Sequence, residues 1–172
     1  MALGRTYTID SGAIGIATST NAQAIIAGIT TTTNVCDIEA IRVGVYSATG
    51  ATASYSSNGT LLCQLARIAS PGSYATTATA RPHNQADLAA NTTWSTGTFA
   101  TGSNAYTPTA ILWGQSIPLT AGANWAEWVT PGAEWRIGPS SSVAAAAYVA
   151  LIVTASITGT SIDLVAEIVF SE

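Results

Sequence analysis

Few residues in this chain are equipped for chemistry. His83 is the only histidine. A nucleophilic triad sets a histidine between a nucleophile and an acid. The neighbours of His83 are Arg81, Pro82 and Asn84, which read as a loop, so a structural or surface role is expected. Two glutamates, Glu127 and Glu134, lie in a segment rich in tryptophan: Trp125, Trp128 and Trp135. Paired carboxyl groups across a cleft are the equipment of a glycoside hydrolase, and exposed aromatics stack on sugars. The competing expectation is that these indoles close one end of the fold or sit in a subunit interface, where aromatics are enriched. Asp37 and Glu39 stand two apart on a strand-like run, without the looped oxygen ligands that calcium requires. Zinc sites cluster cysteine and histidine, and this chain has three such residues in all. Cys36 and Cys63 each lie in an apolar run and read as buried free thiols. The run Gly12-Ala13-Ile14-Gly15 lacks the Lys-Ser/Thr of a phosphate loop. No catalytic residue, cofactor or metal is expected.

Composition bounds the partners. Charged residues make up 8% of the 172, against roughly 25% in ordinary soluble domains. There is no lysine, and all five cations are arginine. Disorder does not account for this, because 48% of the chain is hydrophobic. A membrane helix does not either: the longest apolar run, residues 143–153, is about half the ~20 residues a span needs. Nucleic acid is excluded by a net charge of −4 with scattered arginines. The first residues lack the apolar core of a signal peptide, so synthesis in a cytoplasm is expected. The surface must be mostly Thr, Ser, Asn, Gly and Ala. Such a surface desolvates at low cost and favours lasting contact with protein.

The elements that carry these residues read as strands. Short β-branched or alternating runs are separated by Gly, Pro, Asn and Ser. Runs are expected at 5–10, in two pieces between 13 and 33, and at 35–47, 61–68, 108–119, 134–137, 143–156 and 162–170. Ile41, Val43 and Val45 share one face, which Asp37 and Glu39 are expected to begin. The run 143–156 is apolar on both faces and so is central or lies in an interface. The last two strands are expected to form a hairpin. Residues 70–107 form a long irregular stretch, expected to cover an edge or reach a neighbour, with one helical turn at 87–90. About eight to ten strands in an all-β chain fit one antiparallel β-sandwich over residues 13–172, jelly-roll-like, with residues 1–12 as an N-terminal arm. An immunoglobulin-like sandwich is the runner-up, though its Cys and Trp pattern is missing.

The order in the second half has a counterpart. A strand with an apolar end is followed by a Pro- and Ala-rich loop, Trp94, Thr107-Pro108 and a strand. Then come Trp125 to Trp128, Pro131-Gly132-Ala133-Glu134, an Ala- and Val-rich strand and a closing strand. This layout resembles the small jelly-roll virion proteins of tailed bacteriophages, including capsid cement or decoration proteins, over roughly residues 35–172. The resemblance implies a homotrimer on the outer surface of the capsid, bound to the major capsid protein. It carries no functional motif onto this chain. Trp125, Trp128, Trp135, Trp94 and Tyr74 are the expected interface residues, with the loops 48–60 and 70–107. Two other functions compete: a tail-fibre or spike head that holds host glycan on Trp125, Trp128 and Trp135, and a hydrolase using Glu127 and Glu134.

Overall fold

The computed structural model describes residues 4–16, 23–29, 35–46, 59–68, 76–97, 108–119, 124–129, 135–138, 148–156 and 162–172. These residues form thirteen strands and no helix. They are β1 (Thr6–Asp10), β2 (Ile14–Ile16), β3 (Gln23–Ile29), β4 (Cys36–Tyr46), β5 (Gly59–Ile68), β6 (Thr76–Ala78) and β7 (Arg81–Pro82). Then come β8 (Thr93–Thr96), β9 (Pro108–Leu119), β10 (Asn124–Val129), β11 (Trp135–Ile137), β12 (Tyr148–Ser156) and β13 (Ile162–Ser171).

Eight strands make a nested frame. Within it the first pairs with the last, β1 with β13. Inside that couple β3 pairs with β12, then β4 with β10, then β5 with β9, all antiparallel. Two further pairings, β4 with β13 and β5 with β12, join the couples into sheets. One sheet runs β10-β4-β13-β1-β7 and the other β6-β8-β3-β12-β5-β9. An antiparallel ribbon rolled up in this way is a jelly roll, and the chain is an antiparallel β-sandwich. The expected terminal hairpin is not formed. β12 lies in the second sheet and β13 in the first, so the chain between them crosses the sandwich. Sheets pack about 10 Å apart, a gap that a few residues can span.

Bulges keep the apolar residues inward. β13 alternates without interruption: Ile162, Leu164, Ala166, Ile168 and Phe170 are all buried. Its neighbours do not. Along β1 and β2 the buried residues are Tyr7 and Ile9, then Ile14 and Ile16, so the parity changes between them. Asp10 faces Glu167 and Ile14 faces Leu164, which leaves one extra residue in between. Gly12 absorbs it at φ 62°, with its N–H donating to Asp10 Oδ1. Ser11 Oγ accepts from the Ala166 N–H. Gly12→Ala is therefore expected to cost about 1 kcal/mol, read as a lower urea midpoint at unchanged slope. A second bulge sits in β4. Ala40 faces Val169 and Ile38 faces Phe170, so Glu39 is extra. Cys36 and Ile38 are thus buried along with Ile41, Val43 and Val45. Asp37 and Glu39 do not begin the face of Ile41, as the alternation had suggested. The bulge turns them to the other side.

The main core lies between the sheets. It takes Leu61, Cys63 and Leu65 from β5, Val149, Leu151 and Val153 from β12, and the inward residues of β1, β2, β4 and β13. A second apolar cluster occupies the opposite face of the second sheet: Ala24, Ala27, Ala66, Ile68, Ala150 and Ile152, with Tyr148 packed against it. β12 is therefore central and buried on both faces, as its continuous apolar run requires.

The stretch between β5 and β9 carries structure of its own. β8 pairs β3 and β6 pairs β8, which extends the second sheet. β7 pairs β1 and so edges the first. Residues 87–90 form no helical turn. Asn84 instead makes a turn, its Oδ1 accepting from the Ala86 N–H and its carbonyl from the Asp87 N–H. The expected arm is also absent over residues 6–10. Thr6–Asp10 is a strand held on both sides, by β13 and by β7.

Candidate interaction surface

The sandwich has two lateral sides, and they differ. One ends in two short edge strands, β6 and β7, with β8 between β6 and β3. Trp94 on β8 faces Gly28 on β3, and a Cβ at residue 28 would lie 2.6 Å from the indole ring. The ring continues into the core, its centroid 4.9 Å from that of Phe170, which stacks on Tyr7 at 5.4 Å. The Tyr7 hydroxyl donates to the Leu88 carbonyl. The Glu172 carboxylate accepts from the Asn91 and Thr92 N–H groups and from the Thr92 hydroxyl. Arg81 pairs with Asp10, and Arg5 lies 4.0 Å from Asp87. His83 is on this side, exposed, with Nε2 2.6 Å from Thr8 Oγ1. It lines an open recess of about 270 Å³ with Gly4, Arg5, Thr6, Asn84 and Asp87. These groups pin the closing strands to the frame.

The outer face of the first sheet carries charge. Arg42 on β4 stands between Glu127 on β10 and Glu167 on β13, each directly opposite it in register. Its guanidinium donates to both carboxylates. The bonds from Glu127 and then Glu167 raise its pKa further. Arg136 binds Asp37 through two bonds of 2.9 and 3.0 Å, which likewise raise its pKa. Glu127 thus faces a cation across the ladder, and its expected partner Glu134 lies outside the described residues. No group of three or more His, Cys, Asp or Glu residues gathers as a metal site would require, among the described residues.

The opposite lateral side ends in two edge strands, β9 and β10, which lie against each other. β9 pairs only with β5 among the described residues. None of its twelve residues is charged. Of its residues with described side chains only Ile117 is buried, whereas Thr109, Ala110, Gly114, Gln115 and Ser116 are exposed and Ile111 is 50% exposed. Leu112 and Trp113 are half-buried against the core. Proline stands at Pro108 and Pro118, and the register against β5 shifts at the Pro108 end. Between them Trp113–Ile117 is regular, each residue facing one of Leu61–Leu65.

The expected interface residues separate. Trp94 is 1% exposed and belongs to the core rather than to the surface of the chain. The long loop in which it was placed is an edge-closing layer, and that layer needs a large apolar anchor. Trp135 on β11 is half-buried against the core, facing Ile38. Trp125 and Trp128 stand on β10 opposite Gly44 and Ile41. Tyr74 and the loop 48–58 lie outside the described residues. β9 was not expected as a contact surface. Its lack of charge is visible in the sequence, but its edge position is not.

Both cysteines are free and buried, as expected. Burial pushes the Cys63 thiol up to about 12 from its ordinary 9.0. Cys36 is raised by burial first and by the Glu172 carboxylate next. Above about pH 9 the unfolded chain loses these protons while the native state keeps them. Their contribution is therefore complete below that pH and falls away as the pH rises toward 12. Unfolding free energy measured from neutral to alkaline pH is expected to decline, and Cys63→Ala is expected to decline less steeply.

No family model, curated protein or solved structure matches this chain.

Proposed function

We propose that this chain is a virion structural protein, a capsid cement or decoration protein of a tailed bacteriophage, bound to the outer surface of the major capsid protein shell. One observation carries the reading: the nested pairing makes a rolled, rigid frame in a chain of which only 8% is charged. A protein that stiffens a shell needs a rigid body and a surface that desolvates at low cost. The nested pairing supplies the first. The scarcity of charge supplies the second. The layout resemblance supports the same reading, with homotrimers on the capsid surface and synthesis in the host cytoplasm. The test is co-sedimentation of the purified chain with empty shells of the phage that encodes it. Saturable binding that raises the temperature of shell disruption is the expected result. Shells that neither retain the chain nor gain stability from it overturn the proposal.

A second reading is a tail-fibre or spike head that binds host glycan. It is favoured by two tryptophans within the six residues of the edge strand β10. Quenching of indole fluorescence by cell-wall sugars, lost in Trp125→Ala, is its expected signature.

A further inference from the structure

We infer that β9 is a self-pairing edge, through which a second copy of this chain adds its own β9 antiparallel to extend the six-stranded sheet. The inference concerns this edge alone and does not rest on the capsid reading. An edge strand presents a row of unpaired N–H and C=O groups, and proteins commonly cover or charge such a row. Here the opposite edges, β6 and β7, are only three and two residues long, whereas β9 runs for twelve uncharged residues and has no second pairing among the described residues.

The occupant follows from complementarity. An antiparallel ladder between two copies of one strand matches every donor with an acceptor about a two-fold axis. Most strands resist this, because identical charges meet across the axis. β9 brings no charge to any register. The shifts and Pro108 leave one half irregular, and within the regular run Trp113–Leu119 Pro118 has no N–H to donate, so Trp113–Ile117 is the segment that can pair. Its midpoint is Gln115. An axis there sets Gln115 against its own counterpart, Gly114 against Ser116 of the second copy, and Trp113 against Ile117 of the second copy. The amide of Gln115 both donates and accepts, so it satisfies itself across the axis. Gly114 and Ser116 are small and exposed and leave the approach open. Such a contact is two-fold and isologous.

Disulfide trapping tests this directly. Residues facing each other on an axis have Cα atoms about 4.5–5.5 Å apart, within disulfide range. The native thiols are buried and leave a quiet background. Under mild oxidant, Gln115→Cys is expected to form a covalent dimer on the order of tenfold faster than Leu88→Cys, an exposed position on the closed side. Light scattering of the unmodified chain is expected to give an even multiple of the chain mass. Gln115→Arg, which sets two cations face to face at an exposed position, is expected to halve that mass without changing the circular dichroism spectrum. Equal trapping rates at 115 and 88, or a monomer or bare trimer in solution, overturn the inference. Failure of shell binding with efficient trapping at 115 would refute the capsid reading and leave the edge pairing intact.

Discussion

Trp94→Ala is expected to lower the unfolding free energy by about 4 kcal/mol, the largest effect of any single substitution considered for this chain. The indole is 1% exposed and packs on both sheets. It covers Gly28 on β3, packs on Phe170 of β13, and through Phe170 reaches Tyr7 of β1. Truncation removes the transfer term of a large aromatic and leaves a cavity that the rigid frame cannot close. Small domains are stable by roughly 5–15 kcal/mol, so the variant is left near its limit. The loss is also local. Amide exchange in β6, β7 and β8 is expected to accelerate more than in β4 or β13, because Trp94 anchors the closing strands. Equal acceleration in all strands would show that the closing layer is not a separate cooperative unit. The indole carries a cost as well. Its Nε1–H is buried and meets no acceptor among the described residues. Trp94→Phe removes that unsatisfied donor, so it is expected to lose much less than Trp94→Ala.

Gly28→Ala is expected to cost about 2 kcal/mol by overpacking. A methyl at this position would lie 2.6 to 2.8 Å from three carbons of the Trp94 ring. Real side chains do not tolerate such approaches, so either the ring or β3 must move. The ring is held by Phe170, and β3 is held by both β8 and β12. Combining Gly28→Ala with Trp94→Leu separates this clash from any intrinsic effect of the glycine. The two losses are expected to fall short of additivity by 1 kcal/mol or more, on the order of couplings between residues in contact. Strict additivity in urea titrations would rule out the contact as the cause.

Much of the frame is legible in the sequence. β9 occupies the run 108–119, and β13 follows the alternation of Ile162, Leu164, Ala166, Ile168 and Phe170. The apolar run that contains β12 announces a strand buried on both faces. These signals are local, since each depends on one strand and the side it must bury. The bulges at Gly12 and Glu39 are not visible in this way. Each is defined by a mismatch in count between two strands more than a hundred residues apart. The terminal hairpin was expected because β12 and β13 are neighbours in sequence with a short connection. The burial of β12 on both faces instead sets it between β3 and β5, and the connection crosses to the other sheet.

The candidate surface divides along the same line. The all-β class, the burial of Cys36 and Cys63 and the scarcity of charge are all readable from residue types and their alternation. Which neutral segment is exposed follows from the pairing of distant strands. Trp94, an expected interface residue, is in the core, whereas β9 is an edge strand among the described residues. Composition reports how costly a surface is to dehydrate. Whether a strand has one neighbour or two depends on pairings between distant segments, and no local pattern of side chains encodes that number.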